Sequence, residues 1–169
     1  ESVADLRARI EARPDLAVTR VDLAGDDLFL HFDKKVWNRV PQREQVIDPM
    51  TGRPGFVESR VIELTPPRTV ERVLALNLTQ YDSQPPTAQL LDAARRPLPA
   101  DAWPREFGPA GIVPEHPLYR RPFFCRRGLR EYHTHFQHED DPWDRHREGL
   151  PLHAVVVELL HDLGVRWIT

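Results

Sequence analysis

An α+β domain is the fold class the sequence predicts, and three observations predict it. Apolar residues recur at helical spacing near both ends, at Val3, Leu6 and Ile10 and again from Leu152 to Leu160. Between Leu16 and Tyr81 apolar and polar residues alternate with the period of strands. The rest is rich in proline, with 17 prolines against 8 glycines, which predicts ordered loops more than flexible linkers. Runs of strands flanked by helices give a two-layer α+β domain with helices on one face of an antiparallel meander.

In chain order, "ESVADLRARIEARPDL" places Ser2 as a cap and Asp5 in the first turn of a short helix that Pro14 stops. "LAVTRVDLAGDDLFLHFDKKV" predicts a β-hairpin turning at Gly25-Asp26. "WNRVPQREQVIDPMTGRPGF" is expected to be a proline-punctuated excursion with a turn at Met50-Thr51-Gly52. "VESRVIEL" and "TVERVLALNLTQY" are two further strands joined by Pro66-Pro67, which completes a four-stranded meander. After Tyr81 the chain is expected to be mostly irregular, with at most a short strand near Ala88–Leu91, and a loop of this length is usually functional. Asp140 and Asp141 before Pro142 have the pattern of a helix start, and a C-terminal amphipathic helix carrying Leu152, Val155, Val156, Leu159 and Leu160 stops at Gly164.

Composition narrows the function classes. With 169 residues, 40% apolar and 29% charged, the chain fits one globular domain spanning 1–169. A net charge of −3 gives no global field for nucleic acid, so the arginine pairs at 95–96, 120–121 and 126–127 are expected to be solvated loop charge. No apolar run is long enough for a membrane span and no signal peptide opens the sequence. A single cysteine forms no internal disulfide, which fits a reducing compartment and a cytoplasmic location. It also excludes multi-cysteine zinc frameworks, leaving histidine and carboxylate as the main donors for any metal.

Three local signals then coincide. In "LALNLTQYDSQPPTAQLLD", Tyr81, Pro85 and Pro86 match a Tyr-Pro-x-x-Pro-Pro turn between two strands, with Asp82 in place of the first proline. "HPLYRRPFFC" has His116 and Pro117 of a His-Pro-Asn segment, with Cys125 nine residues after the histidine. Trp143 followed by "LPLHAVVVELL" supplies a tryptophan and helix after the cysteine. Together these resemble the ubiquitin-conjugating enzyme fold over most of the chain. Cys125, Glu131, His133 and His135 also resemble the signature of the bacterial CEHH family, a predicted metal-binding domain of operons carrying ubiquitin-like proteins.

The resemblance implies that Cys125 carries a ubiquitin-like protein as a thioester received from an activating enzyme, in a bacterial pathway associated with antiphage defence. It implies that His116 holds the loop near the site, while Tyr81, Pro85, Pro86 and Trp143 frame it. Leu118 stands where the conjugating family has its oxyanion asparagine, which puts a lysine acceptor in question.

The residues of "RPFFCRRGLREYHTHFQH" support more than one chemistry. As a nucleophile, Cys125 needs a thiolate, which Arg121, Arg126 and Arg127 would favour, and no cofactor. His133 or His135 would serve as base for the transfer step, with Glu131 orienting the ring. As a metal site, "EYHTH" on a strand would put Glu131, His133 and His135 on one face, and Cys125 could complete a zinc tetrahedron for an accessory or hydrolase domain. His138 is a further candidate ligand in a loop. The bland alternatives are a buried structural cysteine behind Phe123-Phe124, a solvent-facing strand, and a non-catalytic adaptor that keeps the fold only to bind its partner. His31 has no partner nearby in sequence, His153 and His161 are expected at the helix surface or boundary, His146 follows the acidic turn, and Trp103 is expected to pack its loop down.

Overall fold

Each half of the alternating sequence finds a partner strand, and two short helices cover the resulting sheet. The computed structural model describes residues 3–37, 39–81, 83–104, 111–164 and 167–168, with backbone alone for residues 3, 39–46, 56–64 and 168. Helix α1 (Val3–Glu11) is followed by a 3-10 turn at Pro14–Leu16 and then by strands β1 (Val18–Ala24) and β2 (Asp27–Trp37). Strands β3 (Arg39–Ile47) and β4 (Pro54–Leu64) come next, then β5 (Arg68–Asn77) and β6 (Thr87–Asp92). A two-residue ladder joins β7 (Ile112–Val113) to β8 (Phe123–Phe124). Helices α2 (Arg130–His133) and α3 (Leu152–Leu163) and a final strand β9 (Trp167–Ile168) complete the order.

The central sheet runs β1-β2-β5-β6, all antiparallel, with β9 added parallel to β2. Gly25 and Asp26 form the predicted hairpin loop, and Gly25 takes φ +61°, which such a tight loop demands and glycine accepts. A four-stranded antiparallel sheet is therefore present, but its membership differs from the expectation. "VESRVIEL" lies in β4, which leaves the sheet and pairs with β3 in a separate two-stranded ribbon. The proline-punctuated excursion thus supplies a strand on either side of its expected turn, and the fourth strand of the sheet is β6, the segment expected to hold at most a short strand. The ribbon turns where Asp48 Oδ1 accepts from Met50 N and Thr51 N, with Gly52 at φ +63°. Ser2, Asp82 and residues 105–110 of the long loop, each part of an expectation above, lie outside the described residues.

Period-two spacing puts Leu28, Leu30 and Phe32 of β2 on one face with Leu74 and Leu76 of β5 and Ala88 and Leu90 of β6. Leu30 pairs with Leu74, and Leu74 with Leu90, so a row of leucines crosses the sheet in register. Leu6 and Ile10 of α1 and Leu152, Val155, Val156, Leu159 and Leu160 of α3 close over this face. Each such buried side chain contributes about 1.5–3 kcal/mol of hydrophobic stabilisation. Trp103 does pack its loop down: it is buried against Phe124 and donates from Nε1 to Leu98 O at 3.2 Å. His31 finds partners that sequence distance concealed. Its ring is buried, its Nδ1 donates to Glu71 Oε1 at 2.6 Å, and Arg20 and Asp22 lie against it. No helix among the described residues is long and apolar enough to cross a membrane.

Candidate active site

Cys125 leaves the sheet-side core directly behind two buried phenylalanines. Phe124 points into the main core against Trp103, while Phe123 packs on His116 and His135, so β8 is pinned from both sides. The thiol itself remains half-buried. Beyond it, Arg126 forms a two-pronged ion pair with Asp162 of α3 at 2.6 and 2.7 Å. Gly128 lies so close to α3 that a Cβ there would sit 2.4 Å from Val155 Cγ2. The residues after the thiol are thereby held on α3 from two points, and Leu129 is fully buried.

The "EYHTH" stretch is not a strand. Arg130–His133 is one turn of helix, begun by Arg130 N donating to Pro86 O at 2.9 Å. The side chains of Glu131, His133 and His135 consequently go to three different places. Glu131 is fully buried, and its Oε1 accepts from Ala88 N at 3.1 Å and from Arg121 Nη2 at 2.8 Å. Burial pushes its carboxyl above the usual range even though Arg121 opposes the shift. Both ring nitrogens of His133 face backbone carbonyls, of Asp141 at 2.7 Å and Arg127 at 2.5 Å. His135 is buried beside Phe123 and His116, with Nδ1 unpartnered. Among the described residues no three His, Cys, Asp or Glu side chains are placed together to hold a metal ion. Glu131, His133 and His135, three of the four side chains expected to hold zinc, each have separate surroundings.

The histidine that meets the thiol is His138. Its Nε2 lies 3.3 Å from Cys125 Sγ, and its ring stacks on Tyr132 with centroids 3.8 Å apart and planes 13° from parallel. Tyr132 donates in turn to Asp141 Oδ2 at 2.9 Å. Asp141 also accepts from His146 Nε2 at 2.5 Å and pairs with Arg127 at 3.3 Å. Asp141 is thus the anchor of this side of the site. It does not cap a helix: the 3-10 turn Trp143–Arg145 that follows has Pro142 at its start and no side-chain cap. These partners hold the Asp141 carboxyl below the usual carboxylate range, the His146 hydrogen bond foremost.

Burial pushes the Cys125 thiol up, and Arg126 opposes the shift only in part. The expectation of an arginine-stabilised thiolate is not met, because Arg121 is spent on Glu131 and Arg127 on Asp141. Burial also pushes His138 down, with His135 adding to the shift. Both directions favour a neutral pair in which the S–H donates to Nε2. Such a pair passes its proton to the imidazole as the sulfur attacks.

The residues expected to frame the site have the following partners. His116 is buried, with Nε2 donating to Glu131 O at 3.0 Å and Nδ1 accepting from Leu118 N at 3.1 Å, so it ties the His-Pro turn to α2. Pro85 O and Pro86 O both accept from Arg130, which docks the Tyr81–Pro86 turn on the same helix. Trp143 is buried edge-on to His133 at 5.8 Å. Leu118 is 68% exposed and offers no donor to an oxyanion. Beside the thiol opens a groove of about 510 Å³ lined by Arg126, Arg127, Tyr132, Arg145 and His146 among others. His153 is half-buried and His161 exposed on α3.

His138 was named in the sequence only as a possible ligand, and its pairing with the thiol went unread. The visible signal was a histidine thirteen residues beyond a lone cysteine, with a tight glycine turn between them. The chain matches no known protein-family profile, and no curated protein is similar to it in sequence.

Proposed function

We propose that the chain is a cysteine-dependent acyl carrier of the ubiquitin-conjugating kind, loading a ubiquitin-like protein on Cys125. One observation carries the reading: a half-buried thiol 3.3 Å from a histidine, at the edge of an open groove. The chain order supports it. A helix, four antiparallel sheet strands taken in sequence, a His-Pro turn, a cysteine and a closing helix follow one another. The Tyr81–Pro86 turn falls between β5 and β6, the third and fourth strands of that sheet in chain order.

In loading, Cys125 sulfur attacks the acyl carbon of the thioester held by an activating enzyme. The new C–S bond forms as the old one breaks. The proton released by Cys125 passes to His138 Nε2 and on to the departing thiolate, so the exchange balances without a cofactor. In discharge, an acceptor amine or hydroxyl attacks the same carbon and the Cys125 thiol is restored. His138 takes the base role expected of His133 or His135, because His133 is committed to two backbone carbonyls and His135 is buried away from the sulfur's contact.

The test is intact-mass spectrometry under denaturing conditions after incubation with the cognate activating enzyme, its ubiquitin-like protein and ATP. The expected result is a thiol-sensitive adduct that Cys125→Ser abolishes. An activating enzyme that loads itself but passes nothing to this chain would sink the proposal, and would favour an adaptor that binds the pathway without chemistry.

A further inference from the structure

The groove beside Cys125 carries more positive charge than the sulfur accounts for. Three arginines, Arg126, Arg127 and Arg145, line it with His146, against one acid, Glu158. Arg126 is neutralised by Asp162, and Arg127 shares the already divided carboxylate of Asp141. Arg145 meets no carboxylate among the described residues; Nη1 donates to the Asp140 carbonyl at 2.8 Å. Among the described residues Arg145 is therefore the one arginine of this lining that no carboxylate meets at ion-pair distance. Gly149 and Leu150 also line the groove. The arginines are not explained as activators of the sulfur, whose one opposing cation is Arg126.

We propose that this groove is an anion subsite that receives a carboxylate side chain of the acyl donor, one or two residues before the carbon that Cys125 attacks. The proposal rests on the acyl-carrier reading and adds to it a preference for an acidic tail. Arg145 supplies the charge that meets the carboxylate, Arg127 and His146 stay on Asp141 beside it, and Glu158 bounds the subsite. A guanidinium without a carboxylate partner at a cleft wall attracts an incoming carboxylate and raises the rate of encounter.

The subsite is tested on the unloaded protein with two alkylating reagents of equal reach, iodoacetate and iodoacetamide. In each case the Cys125–carbon bond forms, iodide leaves, and the thiol proton goes to buffer. The readout is the ratio of the two rates, referred to the same ratio for the chain unfolded in urea, so that sulfur reactivity cancels. The folded ratio is expected to favour iodoacetate by about tenfold relative to the unfolded one. Arg145→Gln and added salt should each remove most of that preference, and Glu158→Gln should enlarge it. Equal ratios in folded and unfolded chain, no alkylation by either reagent, or a preference that survives Arg145→Gln would each overturn the proposal.

Short peptide thioesters with Glu, Gln or Lys two residues before the acyl carbon then read who brings the carboxylate. Transfer to Cys125 releases the small thiol, and the rate should fall in the order Glu, Gln, Lys; equal rates would overturn the acyl-donor assignment. These rates need no activating enzyme. Their failure and failure of enzymatic loading are therefore separate outcomes.

Discussion

At Cys125 the surroundings of one sulfur set the pH at which it reacts. Burial raises the thiol and lowers His138, so the reactive form is scarce at neutral pH unless substrate is present to draw the proton onto the imidazole. Alkylation by iodoacetamide should therefore show a midpoint at higher pH in the folded chain than in the unfolded one. A folded midpoint at or below the unfolded value would contradict the neutral pair. His138→Ala should slow thioester loading by about 10²-fold or more while leaving the melting curve nearly unchanged, and His133→Ala should do the reverse by taking the ring away from the Asp141 and Arg127 carbonyls. Glu131 makes a second residue-scale prediction. Its carboxyl is raised by burial, so the stabilising contribution is full below the ordinary carboxylate range and is lost as pH rises through the shifted value. Glu131→Gln should flatten that decline, which thermal melts between pH 5 and about 8 would record. Cys125 stood out in the sequence as the one cysteine, nine residues after His116 and followed by two arginines. Its partner did not, because choosing His138 over His133 or His135 depends on where α2 reverses the chain.

Element-scale legibility divides between regular segments and the stretch beside the thiol. The hairpin at Gly25-Asp26 and the leucine face of α3 were plain, since each repeats one period over many residues. "EYHTH" also had a clear period, but it lost to tertiary contacts. Arg130 N bonds to Pro86 O and Glu131 binds Ala88 N, bonds to a distant strand and turn that five residues of alternation cannot announce. The element most exposed to disturbance is the turn after the cysteine. A methyl at Gly128 would collide with Val155 on α3, so Gly128→Ala should lower stability by about 1–3 kcal/mol and slow loading by shifting the sulfur from His138. Val155→Ala in the same chain should recover part of both losses. A double-mutant cycle measures the coupling, and strictly additive effects would show that the two sites do not meet.

Across the whole molecule the ribbon shares no strand pairing with the main sheet among the described residues. β2 pairs directly with β5 from Asp27–Asn77 to Val36–Arg68, while β3 and β4 pair with each other outside the sheet. Replacing residues 39–64 by a short turn should therefore leave the circular dichroism of the core and its cooperative melting in place; loss of the folded state would show that the ribbon is part of the core. The strand composition was legible from alternation, but which strands join was not, because β3 and β5 compete for β2 on sequence pattern alone. The same arrangement has a kinetic consequence. Joining β2 to β5 closes a loop of about 30 residues, but a hairpin that zips within that loop shortens the free chain to a handful. The saving in closure entropy is about 1.4 kcal/mol, close to a tenfold change in rate where this closure is made in the folding transition state. A flexible glycine-serine stretch of equal length in place of the ribbon would keep the same distance to close without the zipper. The two strands would then meet later, with β2 exposed as an unpaired edge for longer, and aggregation during refolding would rise with protein concentration.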